Sequence, residues 1–245
     1  MISVCMTTYN GGRYIKEQIN SILQQLSDKD EIIISDDGST DETIAILNSF
    51  NDDRIKIFNH IKKPRIKSIF KFDLTTRNME NAINQAIGDY IFMADQDDVW
   101  EDGRVSTIMS LLTKYTLVVT DCKVVNANLE IIHQSYFNLV NSKIGIIKNF
   151  SKNSYLGCCM AFKRHILKFA LPFPEQPLPH DVWIGLISEI YGHVYFLNEK
   201  TILYRRHQNN VSDSAEVSTN SLIFKIRYRV LLLQALIKRV IKLQK

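Results

Sequence analysis

Carboxylates gather where two apolar runs stop. Asp36-Asp37 follows the run at 31–35, and Asp95-Gln96-Asp97 follows the run at 90–94. Clustered carboxylates repel one another unless they share a cation or a polar ligand. Hard oxygen donors two residues apart suit Mg²⁺ or Mn²⁺ carrying phosphates. Each motif taken singly is also an ordinary turn sequence; two of them at matching run ends favour a shared ligand. Thr7-Thr8-Tyr9-Asn10-Gly11-Gly12 offers hydroxyls and glycine amides beside a helix start, a place for a nucleotide or phosphate. No Gly-Lys-Ser/Thr follows and no GxGxxG is present, so a P-loop is excluded and a nicotinamide cofactor loses its main support. His180-Asp181-Val182-Trp183 follows a proline-rich stretch. Asp181 there is either a general base or the N-cap of the next helix. In Tyr204-Arg205-Arg206-His207, Arg205 or Arg206 could pair with a diphosphate and His207 with a metal or phosphate; solvated charge at a strand end is the plain alternative.

The elements that must position these residues alternate. Strands are expected at 2–6, 31–35, 54–59 and 90–94. Helices are expected between them, on the spacing of Ile15, Ile19, Ile22, Leu23 and Leu26, then of Ile44, Leu47 and Phe50 behind a capping box at Ser39–Glu42, then over 77–87. This is an α/β pattern with a mostly parallel, doubly wound sheet flanked by helices. Such sheets bind ligands beyond the carboxyl ends of their strands, where the acidic motifs fall. The second half is more mixed. A strand is expected at 116–125, a helix at 181–191 and strands at 194–197 and 201–205. Four of the five prolines lie between Pro172 and Pro179. A polar linker at 209–220 and a basic, apolar helix at 222–245 complete the chain.

The 245 residues, 45% of them hydrophobic, suffice for one large domain or two small ones and exclude wholesale disorder. The net charge of +4 conceals an asymmetry: no Asp or Glu follows Glu216, so residues 1–216 carry −3 and the tail +7. A broadly basic nucleic-acid binder is excluded. Cys5, Cys122, Cys158 and Cys159 form no CxxC pair, which fits reduced thiols in a cytoplasmic protein. The first residues lack a basic n-region and a long apolar h-region, so no secretory signal is expected. Without a run of about 18 apolar residues, no transmembrane helix is expected either. In the tail, Leu222, Ile223, Ile226, Val230, Leu233, Ile237, Val240 and Ile241 recur near helical spacing among basic residues. Such a helix can lie on an anionic membrane, at about 1 kcal/mol per basic residue near the surface, or pack on the domain with its lysines in water.

Taken in order, the segment 2–10, Asp36-Asp37-Gly38-Ser39-Thr40-Asp41, the segment 88–100 ending Asp95-Gln96-Asp97-Asp98-Val99-Trp100, Gly157-Cys158-Cys159-Met160-Ala161-Phe162, His180–Trp183 and the segment 204–210 resemble glycosyltransferase family 2 over residues 1–211. The resemblance implies a GT-A fold, with a nucleotide-binding half at 1–100 and an acceptor-binding half at 101–211, followed by linker and basic helix at 212–245. It implies a nucleotide-diphosphosugar donor, UDP- or dTDP-linked, a Mn²⁺ or Mg²⁺ cofactor, and inversion at the anomeric carbon. Thr7, Tyr9, Asp36, Asp37, Asp95 and Gln96 would meet the donor nucleotide. Asp97 would ligate the metal, joined by His207, and Arg205 and Arg206 would face the diphosphate. Gly157, Cys158, Cys159, Met160, His180 and Trp183 would line the sugar and acceptor pocket, with Asp181 as the base. Cys159 departs from the shorter residue, often Thr, usual there. The Q-x-x-R-W signature of processive polymerases is absent, which favours a single addition. The implied acceptor is a lipid-linked precursor of bacterial O-antigen or capsule, carried on undecaprenyl diphosphate at the inner face of the cell membrane. The rival readings are a nucleotidyltransferase, which would carry a glycine- and lysine-rich phosphate loop, and an inactive, membrane-docked sugar-nucleotide binder.

Overall fold

Apolar runs with no alternating polar face become strands covered on both sides. In the computed structural model, which describes residues 1–61, 73–176, 178–208, 210 and 221–244, β1 (Ile2–Thr8) is buried apart from Thr7, and the next strand is buried throughout. The chain continues through α1 (Ile15–Leu23), β2 (Glu31–Asp36), α2 (Thr43–Ser49), β3 (Ile55–Asn59), α3 (Asp73–Gln85) and β4 (Tyr90–Ala94). β1 pairs in parallel with β2 on one side and β4 on the other, and β2 with β3. The register sets Thr8 beside Asp36 and Met6 beside Ala94, so the loops after β1, β2 and β4 open on one edge.

The second half extends the same sheet. It comprises β5 (Val99–Trp100), α4 (Arg104–Leu112), β6 (Leu117–Val125), β7 (Ile131–His133), α5 (Tyr136–Val140), α6 (Ile146–Ser151), a 3₁₀ turn at Gly157–Cys159, β8 (Met160–Lys163), α7 (Leu167–Ala170), α8 (His180–Tyr191), β9 (Val194–Arg205) and α9 (Leu222–Leu243). The order is β3-β2-β1-β4-β8-β6-β9-β5, with β7 beside β6. β8 runs antiparallel between β4 and β6. β6 and β9 are parallel, so six of the nine strands run one way.

Several boundaries differ from the sequence expectation. The two strands expected at 194–197 and 201–205 are one strand, because shifts of register around Asp121 of β6 absorb the intervening residues. α2 begins at Thr43, and Ser39 does not cap it: the Ser39 hydroxyl donates to Asp36 and accepts from the Asn10 amide, while Asp41 accepts from the Thr43 amide. Pro179, not Asp181, holds the N-cap position of α8, and Asp181 sits in its first turn. Of the expected linker, 209 and 211–220 lie outside the described residues. No helix among the described residues is long and apolar enough to cross a membrane. α9 packs on the domain through Leu232 and Leu236 yet leaves Ile226, Val230, Leu233, Ile237 and Ile241 about half exposed. The inner face of the helix thus matches the packing reading of the tail, and its outer face is partly apolar.

Candidate active site

Two loop systems meet at the carboxyl edge. The first is a frame of satisfied groups. Asp36 is buried and accepts four hydrogen bonds, from the Thr8 and Ser39 hydroxyls (2.8 and 2.6 Å) and from the Gly38 and Ser39 amides (2.9 and 2.7 Å). The amides of the glycine loop are also taken. Tyr9 donates to Gln96 Oε1 (2.9 Å), Asn10 to Ser39 Oγ (2.9 Å), Gly11 to Thr43 Oγ1 (2.8 Å) and Gly12 to Asp41 Oδ2 (2.9 Å). The expectation that the Gly11-Gly12 amides await a phosphate is therefore corrected: side chains of the following loop satisfy them. Gln96 also donates back to the Tyr9 carbonyl (3.1 Å), so its amide serves as a strand partner. A Cβ on Gly11 would stand 2.3 Å from Gln96 Oε1, so only glycine admits this contact. The phenol of Tyr9 is exposed and Thr7 is partly so. Asp37 is buried beside His60 at the end of β3, its Oδ1 2.9 Å from Nδ1.

The second system collects charge. Asp97 Oδ2 meets His207 Nε2 at 2.8 Å and accepts from Asn210 Nδ2 at 3.0 Å. Asp97 and His207, predicted from separate motifs as ligands of one metal, thus touch. The His207 ring stacks on Tyr14, centroids 4.9 Å apart. Asp95 turns the other way. A carboxylate oxygen of Asp95, one of Asp98 and the Cys158 sulfur lie within 4.8 Å of one another. Asp98 is sealed off, accepting from the Arg205 amide through Oδ1 while Oδ2 has no partner among the described residues. Desolvation, and then the charges of Asp97 and Asp181, push the Asp95 carboxyl up to about 7. Burial likewise pushes Asp181 up to about 6, although its Oδ1 accepts from the Val182 amide (2.7 Å). Burial lowers His180 to about 4, and its Nδ1 has no partner among the described residues. Gly157 lies against both residues: a Cβ there would be 3.1 Å from His180 Nε2 and 3.8 Å from Asp181 Cβ.

Five expected residues move from site to support. Arg205 is buried and committed, donating to the Asp97 carbonyl (2.6 Å), the Ala127 carbonyl (2.7 Å) and Glu17, with its guanidinium over the Tyr14 ring. It braces the loop rather than facing a diphosphate; of the two arginines, Arg206 is the partly exposed one. Trp183 does not line a pocket: its indole is buried, donates to the Ala170 carbonyl (2.8 Å) and lies beneath Arg239 of α9. The side chains of Cys158, Cys159 and Met160 are also closed into the core, with the Cys158 sulfur beside Asp95 and Asp98 and Gly157 against His180 and Asp181. Burial raises a thiol. For Cys159, hydrogen bonds from the Cys122 and Cys158 thiols, with the Arg104 guanidinium, reverse that effect and hold it well below the usual value.

Supporting residues that motif reading missed are buried or half-buried polar groups on or beside helices. On α1, Gln18 donates to the Asp95 carbonyl (2.7 Å) and Ser21 accepts from the Trp100 amide (3.0 Å); just past its end, Gln25 bonds Glu101 and Val105. Gln18, Ser21 and Gln25 recur at helical spacing within an apolar pattern, a signal that was present in the sequence. Arg104 is wholly buried, stacked on Trp100, and donates to Thr120 and Thr201 and to the Cys158 carbonyl (2.9 Å). α3 fixes the approach to Asp181: Thr76 donates to the Leu178 carbonyl, and Arg77 to the carbonyls of Pro174 and Glu175.

Known proteins share this fold. The family model described as glycosyl transferase family 2 matches residues 3–170. The chain is 28% identical over 238 residues to the dTDP-rhamnosyl transferase RfbG of Shigella flexneri, covering 91% of this chain and 77% of that one. Its fold matches S. aureus TarS 1–349 in complex with UDP-GlcNAc, with a TM-score of 0.68 at 20% identity, over 94% of this chain and 65% of that one. It also matches the mannosyltransferase PcManGT of Pyrobaculum calidifontis, in complex with GDP-Man and Mn²⁺, with a TM-score of 0.63 at 17% identity, over 86% and 58%. The chain thus spans just under two thirds of the TarS chain. The mixed, mostly parallel sheet flanked by helices is the GT-A fold.

Proposed function

Since this chain belongs to glycosyltransferase family 2, we propose that its acidic edge binds a UDP- or dTDP-linked sugar with a divalent cation. From there one sugar passes, with inversion, to a glycan acceptor. The observation that carries this reading is the meeting of Asp97 and His207 beside Asp95, a carboxyl that also feels the charge of the desolvated Asp181. The names of RfbG, TarS in complex with UDP-GlcNAc and PcManGT with Mn²⁺ support the donor and cation classes.

A carboxylate oxygen and an imidazole nitrogen side by side fit Mn²⁺ or Mg²⁺, so Asp97 and His207 would hold the cation, with Asp95 adjacent. When bound, the cation neutralises charge growing on the departing diphosphate. Asp37, steadied by His60, meets the nucleotide base together with Thr7 and Tyr9; Asp36 and Gln96 hold the loops that shape this pocket. Arg206 faces the diphosphate. Asp181 takes the proton of the attacking acceptor hydroxyl, and its raised pKa makes it a better proton acceptor than an ordinary carboxylate. Neutral His180 offers a hydrogen bond to the same acceptor. Residues 1–100 form the donor half and 101–211 the acceptor half. The acceptor is a lipid-linked precursor of O-antigen or capsule, on undecaprenyl diphosphate at the inner membrane face, and the outward stripe of α9 rests on that membrane.

A thermal-shift panel of UDP-, dTDP- and GDP-sugars with and without Mn²⁺ tests the donor assignment, because a ligand that binds the native state raises its melting temperature. Uridine- or thymidine-linked sugars should give the largest shift, and Asp97→Ala should abolish its Mn²⁺-dependent part. No shift with any nucleotide sugar would overturn the donor reading; an unaltered Mn²⁺ dependence in Asp97→Ala would remove Asp97 from the cation site.

A further inference from the structure

Acidic residues are missing from two stretches of the chain, not one. Residues 217–245 carry seven lysines and arginines, and residues 131–174 carry six (Lys143, Lys148, Lys152, Lys163, Arg164 and Lys168), with no Asp or Glu in either. The remainder therefore carries −9 against a whole-chain charge of +4. The fold packs the two acid-free stretches together. Arg229 of α9 donates to the Ser151 carbonyl at the end of α6, and Arg239 to the carbonyls of Phe169, Leu171 and Pro172. Placing so many like charges together opposes compaction unless a polyanionic surface faces them.

Apolar side chains are exposed within the same basic surroundings. Ile144, Ile146 and Ile147 are 57, 41 and 86% exposed. Lys143, Lys148 and Lys152 bracket them in sequence. Partial burial, and then the charges of Lys152 and Lys143, lower the Lys148 pKa. The acidic side chain near this turn, Glu189, lies beneath it and is engaged with Gly145, Asn149 and Tyr155. Exposed isoleucines flanked by lysines match a bilayer boundary, with apolar groups at the acyl level and cations at the lipid phosphates.

We propose that the turn at 143–148 is a second lipid contact, so that the protein rests on anionic bilayers through two elements, this turn and the outward face of α9. The proposal rests on the reading of α9 as membrane-facing. A second copy of the chain is a poorer occupant, because exposed Arg227, Lys238 and Lys242 line one side of the α9 stripe and offer it no acidic complement.

The test uses the full chain carrying Ile147→Trp, a change at an exposed position. Trp100 and Trp183 are buried, so they contribute little response to lipid. The protein should float with phosphatidylglycerol vesicles and not with phosphatidylcholine vesicles, and brominated acyl chains should quench the introduced indole. Ile146→Ser with Ile147→Ser should weaken partitioning by about tenfold at an unchanged melting temperature. Flotation with the indole unquenched would overturn the second contact and leave the α9 reading standing. No flotation of the parent protein, or a stable dimer that shields the indole, would overturn both.

Discussion

The two halves of the ligand edge handle carboxylates in opposite ways. In the frame around β1 and β2, donors converge on each acid. Asp41 shows the balance: burial pushes its carboxyl up, but the Thr43 hydroxyl and the amides of Gly12 and Thr43 outweigh it and hold the group below its usual value. Around β4 and α8 desolvation outweighs the donors present and leaves Asp95 and Asp181 raised. The first region uses its acids to fix the loops. The second keeps acids that a cation, a nucleotide or an acceptor proton can still satisfy. Strained electrostatics on a satisfied frame is the arrangement expected of a catalytic edge.

The comparison is broken most severely by removing the proposed base. Asp181→Asn should lower turnover by about 10²–10⁴-fold while donor affinity by calorimetry stays the same; wild-type turnover would end the assignment. In the parent enzyme, kcat should be half-maximal near pH 6, where half of the Asp181 carboxyl is ionised, approach its plateau above that, and fall towards tenfold per pH unit well below it. A flat profile down to pH 5 would contradict the raised pKa.

Next comes the frame. Asp36→Ala leaves two amides and two hydroxyls without their acceptor. Urea unfolding should register a loss of about 1–3 kcal/mol for each donor left unsatisfied in the interior. A change smaller than about 0.5 kcal/mol would mean that water replaces the carboxylate.

The signs of the linked pH dependences also separate the regions. The folded-state pKa of Asp181 exceeds its usual 3.8, so its charge costs stability as pH rises from about 4 to 6 and above. Asp181→Asn should therefore raise the melting temperature at pH 7, with the gain fading below pH 4. Asp41 is depressed, so its contribution is present above pH 3.8 and is lost as pH falls through its folded value. Asp41→Asn should destabilise at pH 7 and much less in acid. Thermal melts of both variants across pH measure this, and shifts of the same sign would erase the distinction. The smallest effect should come from Gln96→Ala, which removes two bonds to the Tyr9 backbone at a partly exposed position and should cost about 1 kcal/mol.

Motif spacing carried the reading furthest where chemistry and strand ends coincide. The runs ending at Asp36 and Asp95 determined two strands and their shared edge, because parallel strands joined by helices must bring their carboxyl ends together. Asp97 and His207 were expected at one ion, and the fold brings their side chains into contact across 110 residues. Less legible was which groups the fold itself consumes. Arg205 and Trp183 have the right chemistry for a site, yet their donors are spent on carbonyls that only the folded chain brings within reach. The glycine amides were misread for the same reason, since their acceptors come from a loop about 30 residues away.

The sequence by itself therefore determined the α/β order, the parallel core and the charged residues available at its edge, because periodicity and side-chain chemistry are local properties. Tertiary structure decided which charges stay unsatisfied, which helix polar groups aim the loops, and that two acid-free stretches share one surface. Burial and hydrogen-bond partnership depend on neighbours distant in the chain, and only the closed sheet with α9 laid against it supplies them.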